Sequence, residues 1–490
     1  MRLSIQRAEP ASGQVVALFG VPALELGFFA ALLLILLPFG AANRLPFALA
    51  ATAASGLVAI AIVRNGEPAK VTLPFRLALV LLIGLGLWGL AQTLPLGGLA
   101  NPAWTDVAAA GTISVTPIDG RFALLVLALP FVIFLGGLST FADDAAAERL
   151  LRFIGLSGGV IALWSLVQFL LLPDTLLLSE KLYYLDSLTG VFINRNTAGT
   201  YFGLVALVLF ALAHARVELT DWAGVAARLL SGGRRRSPVD RLFAAYAVGL
   251  LAALTALFLT KSRAGVGSTF FAFLVLVPLL LSQRGTRRSH GAAAFGHRQS
   301  GRTHRLLKAG GGLLVVFIVG LIFADRALFR AEVQGVDDGR FCVAPAIARA
   351  AADNWLTGVG FGSFRQFFPA YRDASCGLTG IWDRAHSVYL EGFLGFGLLF
   401  WVALVVGVGA LLFVFVHGIH ARRSKRGAPA AGLAVLLLTL AHSLVDFSLQ
   451  IPGFAAIFAA TMAAAVTVSL GRDGRHAPAT REKANSVQFE

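Results

Sequence analysis

Long apolar runs recur along the chain, and short polar or basic breaks separate them. A helix needs about 20 mostly apolar residues to cross a bilayer. Stretches of that kind lie near 21–39, 45–63, 74–92, 121–140, 153–172, 196–214, 242–260, 264–282, 309–324, 387–416, 427–447 and 453–470. The pattern predicts an all-α polytopic membrane protein of about twelve transmembrane helices, one integral membrane domain over residues 1–490. The longest polar stretch, 325–386, is predicted to be one large loop outside the membrane.

Composition agrees: 57% of the residues are hydrophobic and 14% charged, which excludes a soluble domain of this length. Gly40-Ala41-Ala42 faintly resembles a signal-peptidase site, but the long tail and apolar run before it read as a first membrane helix. The 41 Lys and Arg against 26 Asp and Glu leave a formal charge of +15. Membrane proteins gather such an excess on the cytoplasmic side. With Arg2 and Arg7 inside, most of the cations fall on that side, including Arg234-Arg235-Arg236 and the stretch from Arg284 to Lys308. Twelve spans return the C-terminus to the cytoplasm. No aromatic interleaving accompanies these charges, so they read as topology anchors facing membrane lipids, with no nucleic acid as partner.

The loop over 325–386 departs from the positive-inside pattern. It carries Arg326, Arg330, Arg340, Arg349, Arg365, Arg372 and Arg384 on the periplasmic side, which points to an anionic ligand there. Both cysteines of the chain, Cys342 and Cys376, fall in the same loop. A periplasmic loop is where a disulfide persists, so the two are expected to be bonded. Closing a loop of that size is worth roughly 3–4 kcal/mol in the chain-entropy account.

Four segments together resemble the O-antigen ligase and O-antigen polymerase superfamily. Gly190-Val191-Phe192-Ile193-Asn194-Arg195-Asn196-Thr197-Ala198 is similar to the family's Gly-x-Phe-x-Asn-x-Asn-x-x-Ala start of a helix. Lys261-Ser262-Arg263-Ala264-Gly265 resembles its Ser-Arg-x-Gly turn between spans. In the loop, Arg340 stands at the family's arginine. The run from Asp353 to Phe364 resembles Pro-Leu-x-Gly-Val-Gly-x-Gly-x-Phe, with Asn354-Trp355 where members often have His-Pro. Ala385-His386-Ser387-Val388-Tyr389-Leu390-Glu391 resembles Ala-His-Asn-x-Tyr-Leu, with Ser387 in place of Asn.

That resemblance implies a glycosyltransferase of the bacterial inner membrane. It would move a glycan from undecaprenyl pyrophosphate, at the periplasmic face, to a sugar hydroxyl of lipid A-core or of a growing polysaccharide. It would use no metal and no cofactor. The residue types suit such chemistry. A departing pyrophosphate gathers negative charge that guanidinium forks stabilise, which nominates Arg263 and Arg340. Histidine titrates in the range a general base needs, which nominates His386 as base or acceptor-orienting group. Arg195, Asn196, Lys261, Arg384 and Tyr389 are the candidate substrate contacts, although Arg195 can equally cap its helix and Tyr389 anchor at the interface.

Other signals carry less. Gly358, Gly360 and Gly362 lack the βαβ setting of a nucleotide loop and read as a tight turn that lets backbone approach a ligand. Asp337-Asp338 lacks further ligands at metal-binding spacing. His442 and Asp446, four residues apart within a span, are expected to be a buried hydrogen-bonded pair supporting the outer cavity. A lipid or glycan transporter of the same span count is the competing class, in which that pair would relay protons. It would distribute polar groups through the midplane, whereas the arginines here gather at one face.

Overall fold

The computed structural model describes residues 17–18, 21–96, 99–102, 111–219, 238–282, 339–376, 380–422 and 424–471. Thirteen helices of nine residues or more dominate them: α1 (Ala23–Leu36), α2 (Arg44–Asn65), α3 (Thr72–Ala91), α4 (Pro117–Thr140), α5 (Asp144–Leu171), α6 (Arg195–Leu219), α7 (Pro238–Leu259), α8 (Arg263–Leu281), α9 (Gly339–Asp353), α10 (Val388–Phe396), α11 (Leu398–Ala421), α12 (Gly427–His442) and α13 (Pro452–Ser469). Strand is confined to two-residue antiparallel pairs, Ala17–Leu18 with Val21–Pro22 and Thr175–Leu176 with Ser179–Glu180.

Among the described residues nine helices, α2 to α8, α11 and α13, are long and apolar enough to cross a membrane. The apolar helices α1 and α12 are shorter, at 14 and 16 residues. The span expected over 309–324 lies outside the described residues. The helix expected from 153 begins nine residues earlier, where Asp143 caps α5 by accepting from the amides of Ala145 and Ala146 at 2.8 and 2.9 Å.

Small residues decide which helices sit at the centre. Helix α13, rich in alanine, is buried almost throughout. A Cβ at Gly137, Gly418 or Gly432 would come within 2.8 Å of Ala463, Ser469 or Ala465, so three neighbours approach α13 through glycine. Such contacts let helices pack by dispersion where water exclusion gives no drive. Helices α2, α3 and α11 turn leucine, isoleucine and valine outward, as lipid-facing helices do.

Charge marks one end of the bundle. Asp144 pairs with Lys70 at 3.7 Å, with Lys425 at 3.6 Å and with the buried Arg422; Lys425 also reaches Glu148 at 2.9 Å, and Arg149 meets Glu25 at 2.6 Å. Helices α3, α5, α11 and α12 meet there, and we call it the basic end.

The opposite end carries the segment 339–386, and this stretch is not merely solvated. Val343, Ala346, Ile347 and Ala350 of α9 pack with Val359, Phe364, Phe368, Ala385 and Leu394 into a small core of their own. A disulfide joins Cys342 to Cys376. The run expected as one span over 387–416 is broken into α10 and α11 at Gly397, whose φ is +63°. At the break two chains cross without room for side chains. A Cβ at Gly397 would stand 2.4 Å from the Leu356 carbonyl oxygen, and one at Gly358 the same distance from that of Gly395. Gln92, just past the end of α3, donates from Nε2 to the carbonyls of Thr357 (2.7 Å) and Gly395 (2.8 Å), and Trp88 of α3 donates from Nε1 to Phe396 at 3.2 Å. Carbonyls at an interrupted helix must be satisfied in this way where water is scarce. The glycines expected to admit a ligand are therefore occupied by the protein itself; Gly360, likewise, faces Ser114.

Gly397→Ala should lower stability by on the order of 2–4 kcal/mol, through positive-φ strain and the clash with Leu356. A thermal transition of the detergent-solubilised variant matching wild type would refute this account of the break. Cys342→Ser should cost about 2–4 kcal/mol. Reductant should bring wild type down to the variant's melting temperature and leave the variant unmoved.

Candidate functional site

Two helices begin side by side at the end opposite the basic one. Asn194 caps α6, its Oδ1 accepting from the amides of Asn196 (2.7 Å) and Thr197 (3.4 Å). Ser262 caps α8, accepting from the Gly265 amide at 3.1 Å. A Cβ at Gly199 would lie 3.0 Å from Ser262 Cβ, and one at Gly265 only 3.2 Å from Gly199 Cα. Glycine in both first turns thus lets two positive helix ends meet.

The candidate cations of these turns share one neighbouring segment. Lys261, at φ +55°, pairs with Asp186 Oδ2 at 2.8 Å. Arg195 lies over the Tyr184 ring at 5.2 Å and donates from Nη1 to Ser187 Oγ at 3.4 Å. Asn194, not Arg195, provides the helix cap. Lys181, buried beneath the segment, donates to the Ser187 carbonyl. Burial pushes its ammonium below the ordinary lysine range, while Asp186 and Asp174 pull it back up. Arg263 opens α8 with its side chain exposed, two residues after Lys261.

His386 approaches from the other side. Its φ is +50°, and its ring meets Trp382 edge-on at 5.6 Å and Phe447 at 5.1 Å. Ser387 then caps α10. Buried Glu391, in the first turn of α10, accepts from the Ala385 amide at 2.8 Å and from Arg384 Nη1 at 3.1 Å, which fixes the chain on the residue before His386. Beside Phe447 lies a buried polar cluster. Asp446 accepts from Asn196 Nδ2 at 2.8 Å and from Ser448 Oγ at 2.9 Å, and Ser448 Oγ lies 3.4 Å from His442 Nδ1 and 3.2 Å from Thr200 Oγ1. Ser448 therefore bridges His442 and Asp446.

Three expected substrate contacts are committed within the protein. Tyr389 donates its hydroxyl to the Leu440 carbonyl at 2.8 Å and pins α10 to the end of α12. Arg384 pairs with Glu391, and Asn196 with Asp446. Arg340 lies in the first turn of α9, but its side chain, like Asp337-Asp338, lies outside the described residues. Among the described residues no three His, Cys, Asp or Glu side chains converge as a metal site requires.

Sequence reasoning gave Glu391 no role, although it closes the His386 motif, and did not single out Lys181, Asp186 or Ser187. Glu391 had a signal: a carboxylate opening an apolar helix is costly and needs a partner. The other three sit in an ordinary-looking loop. This end offers guanidinium and ammonium groups beside two helix N-termini, and an imidazole that packs on Phe447, next to the Asp446 bonded by Asn196. That set can hold a polyanion and accept a proton.

No curated protein matches the chain. Residues 248–405, which hold α8, the described part of the long loop, His386, α10 and the start of α11, match the family model described as O-antigen ligase.

Proposed function

We propose that the protein is an O-antigen ligase-type glycosyltransferase that moves a glycan from undecaprenyl pyrophosphate to a sugar hydroxyl of lipid A-core, at the periplasmic face of the bacterial inner membrane. The observation that carries this reading is that His386, inside the matched segment, packs on Phe447 next to the Asp446 that bonds Asn196 at the start of α6, and that α8 starts beside α6. Two further observations support the orientation. The ion-paired basic end is the side that positive-inside bias assigns to the cytoplasm. The Cys342–Cys376 disulfide lies at the other end, as an oxidising compartment favours. Residues 325–386 are then the large periplasmic loop, and about twelve spans put both termini inside.

In this mechanism the acceptor hydroxyl oxygen attacks the anomeric carbon, and the bond from that carbon to the pyrophosphate oxygen breaks. The hydroxyl proton passes to His386, and undecaprenyl pyrophosphate leaves as the anion. Arg263 and Arg340 stabilise the charge that develops on it, with Arg195 and Lys261 binding the phosphates, helped by the two helix ends. Arg384, Asn196 and Tyr389 act by holding His386 and α6 in position. The attack is direct, with inversion at the anomeric carbon and no metal.

The test is transfer by purified protein from an undecaprenyl-pyrophosphate-linked oligosaccharide, with lipid A-core and repeat-unit acceptors offered separately. His386→Ala should lower kcat by roughly 10²- to 10⁴-fold, and Arg263→Ala by about 10²- to 10³-fold, both without loss of thermal stability. Chelator should leave the rate unchanged. Chain extension of the repeat-unit acceptor would make the protein a polymerase; no transfer to either acceptor would return the transporter reading.

Glu391 supplies a separate check on the His386 turn. Glu391→Gln keeps an acceptor for the Ala385 amide and should retain most activity. Glu391→Ala strands that amide and Arg384, and should cost about 1–3 kcal/mol of stability together with most of the transfer. Equal activity in the two variants would mean that Glu391 does not set the position of His386.

A further inference from the structure

The segment Tyr184–Ser187 touches both cations that the proposed function assigns to the donor's phosphates, and it does so through three different groups. The Tyr184 ring lies under Arg195, Ser187 Oγ accepts from Arg195, and Asp186 pairs with Lys261. Ser187 Oγ also donates to Asp186 Oδ1 at 2.9 Å, which links the two partners to each other. A turn closed by the Ser187 amide on the Tyr184 carbonyl (3.0 Å) shapes the segment, and the Leu188 amide ties it to the Leu259 carbonyl at the end of α7 (2.9 Å).

Beneath it lies Lys181, only 5% exposed although it carries an ammonium group. A buried ammonium is retained only where its protons are bonded. It donates to the Ser187 carbonyl, and the Phe169 ring of α5 lies 5.9 Å from it. From the same helix, Gln168 Nε2 donates to Thr175 Oγ1 (3.1 Å) and to the Leu177 carbonyl (3.2 Å), so the hairpin that delivers Lys181 is itself fixed to α5.

We propose that Lys181 is a positioning residue for donor binding: by holding the Ser187 carbonyl from below, it fixes the segment that orients Arg195 and Lys261 toward a pyrophosphate. This rests on the donor assignment made above. Long cationic side chains lose rotamer freedom when they engage an anion, and a partner that orders them beforehand removes part of that cost. A methionine at 181 would fill the same space and leave the Ser187 carbonyl without its donor.

The experiment uses full-length protein in lipid nanodiscs, as wild type, Lys181→Met and Ser187→Ala. It measures binding of undecaprenyl pyrophosphate and of undecaprenyl monophosphate, and the acceptor KM in the transfer reaction. Ser187→Ala removes the hydroxyl that meets Arg195 and Asp186 and keeps the carbonyl that Lys181 holds, so it tests the segment's part in donor binding even where Lys181→Met fails to fold. Both variants should bind undecaprenyl pyrophosphate roughly tenfold more weakly, with the acceptor KM unchanged, as expected when preorganisation of the donor cations alone is lost. Donor binding equal to wild type, or a parallel loss toward donor and acceptor, overturns the role of Lys181 while the donor assignment stands. If wild type does not prefer the pyrophosphate to the monophosphate, the donor assignment itself falls and this inference with it.

Discussion

A carboxylate with no exposure to solvent, Asp446, determines the geometry of the site end of the bundle. A buried charge without bonded partners is expensive, and a membrane interior offers no water to supply them. Asp446 takes its partners from two elements at once: Asn196 in the first turn of α6 and Ser448 in the turn that leads to α13. Satisfying the carboxylate therefore fixes where α6 begins. Arg195 precedes Asn196, and Phe447, against which His386 packs, follows Asp446. One buried acid thus ties the start of α6, where Arg195 stands, to the turn against which His386 packs.

The two ends of the bundle handle charge differently. At the basic end, Asp144 draws Lys70, Arg422 and Lys425 into one cluster, and its cations serve as anchors already matched by acids. At the other end Arg195 meets an aromatic face and a hydroxyl, and Lys261 a single half-exposed carboxylate. Neutral and solvent-screened partners hold a guanidinium or ammonium group less strongly than bidentate phosphate does. On the donor assignment proposed above, a pyrophosphate would compete with these partners for the two cations, whereas the Asp144 cluster is already matched by its own ion pairs.

Hydrophobic periodicity made most of the helices legible, and its failures have physical causes. The α10–α11 break is invisible to hydropathy because Phe396 and Leu398 flank Gly397; the break is dictated by the Leu356 backbone, distant in sequence. The early start of α5 was hidden because Asp144, Glu148, Arg149 and Arg152 lower its apolar character. Their ion pairs and the Asp143 cap place them on a helix all the same. Motif resemblance singled out Lys261, Arg263 and His386, whose residue types announce chemistry. It could not foresee that Tyr389 would be taken by Leu440, a partner 51 positions away in another helix. Lys181 belonged to no motif, and only burial reveals it.

The glycine run at 358–362 shows how a ligand-like motif can serve another purpose. Its close approaches are to Gly395, Ser114 and Ala123, so it joins the 339–386 segment to α10, to the loop after α3 and to α4. The Val359 amide donates to the Leu394 carbonyl at 2.9 Å, and the Val115 amide to Val359 at 3.3 Å, which stitches three parts of the chain at one residue. His386 closes this same segment. With its own apolar core, a disulfide and a backbone crossing at Gly397, the segment is a packed element rather than a loose strap. A displacement at the crossing would therefore reach His386 through Leu394 and Ala385 instead of being absorbed along the way, because close-packed elements transmit strain.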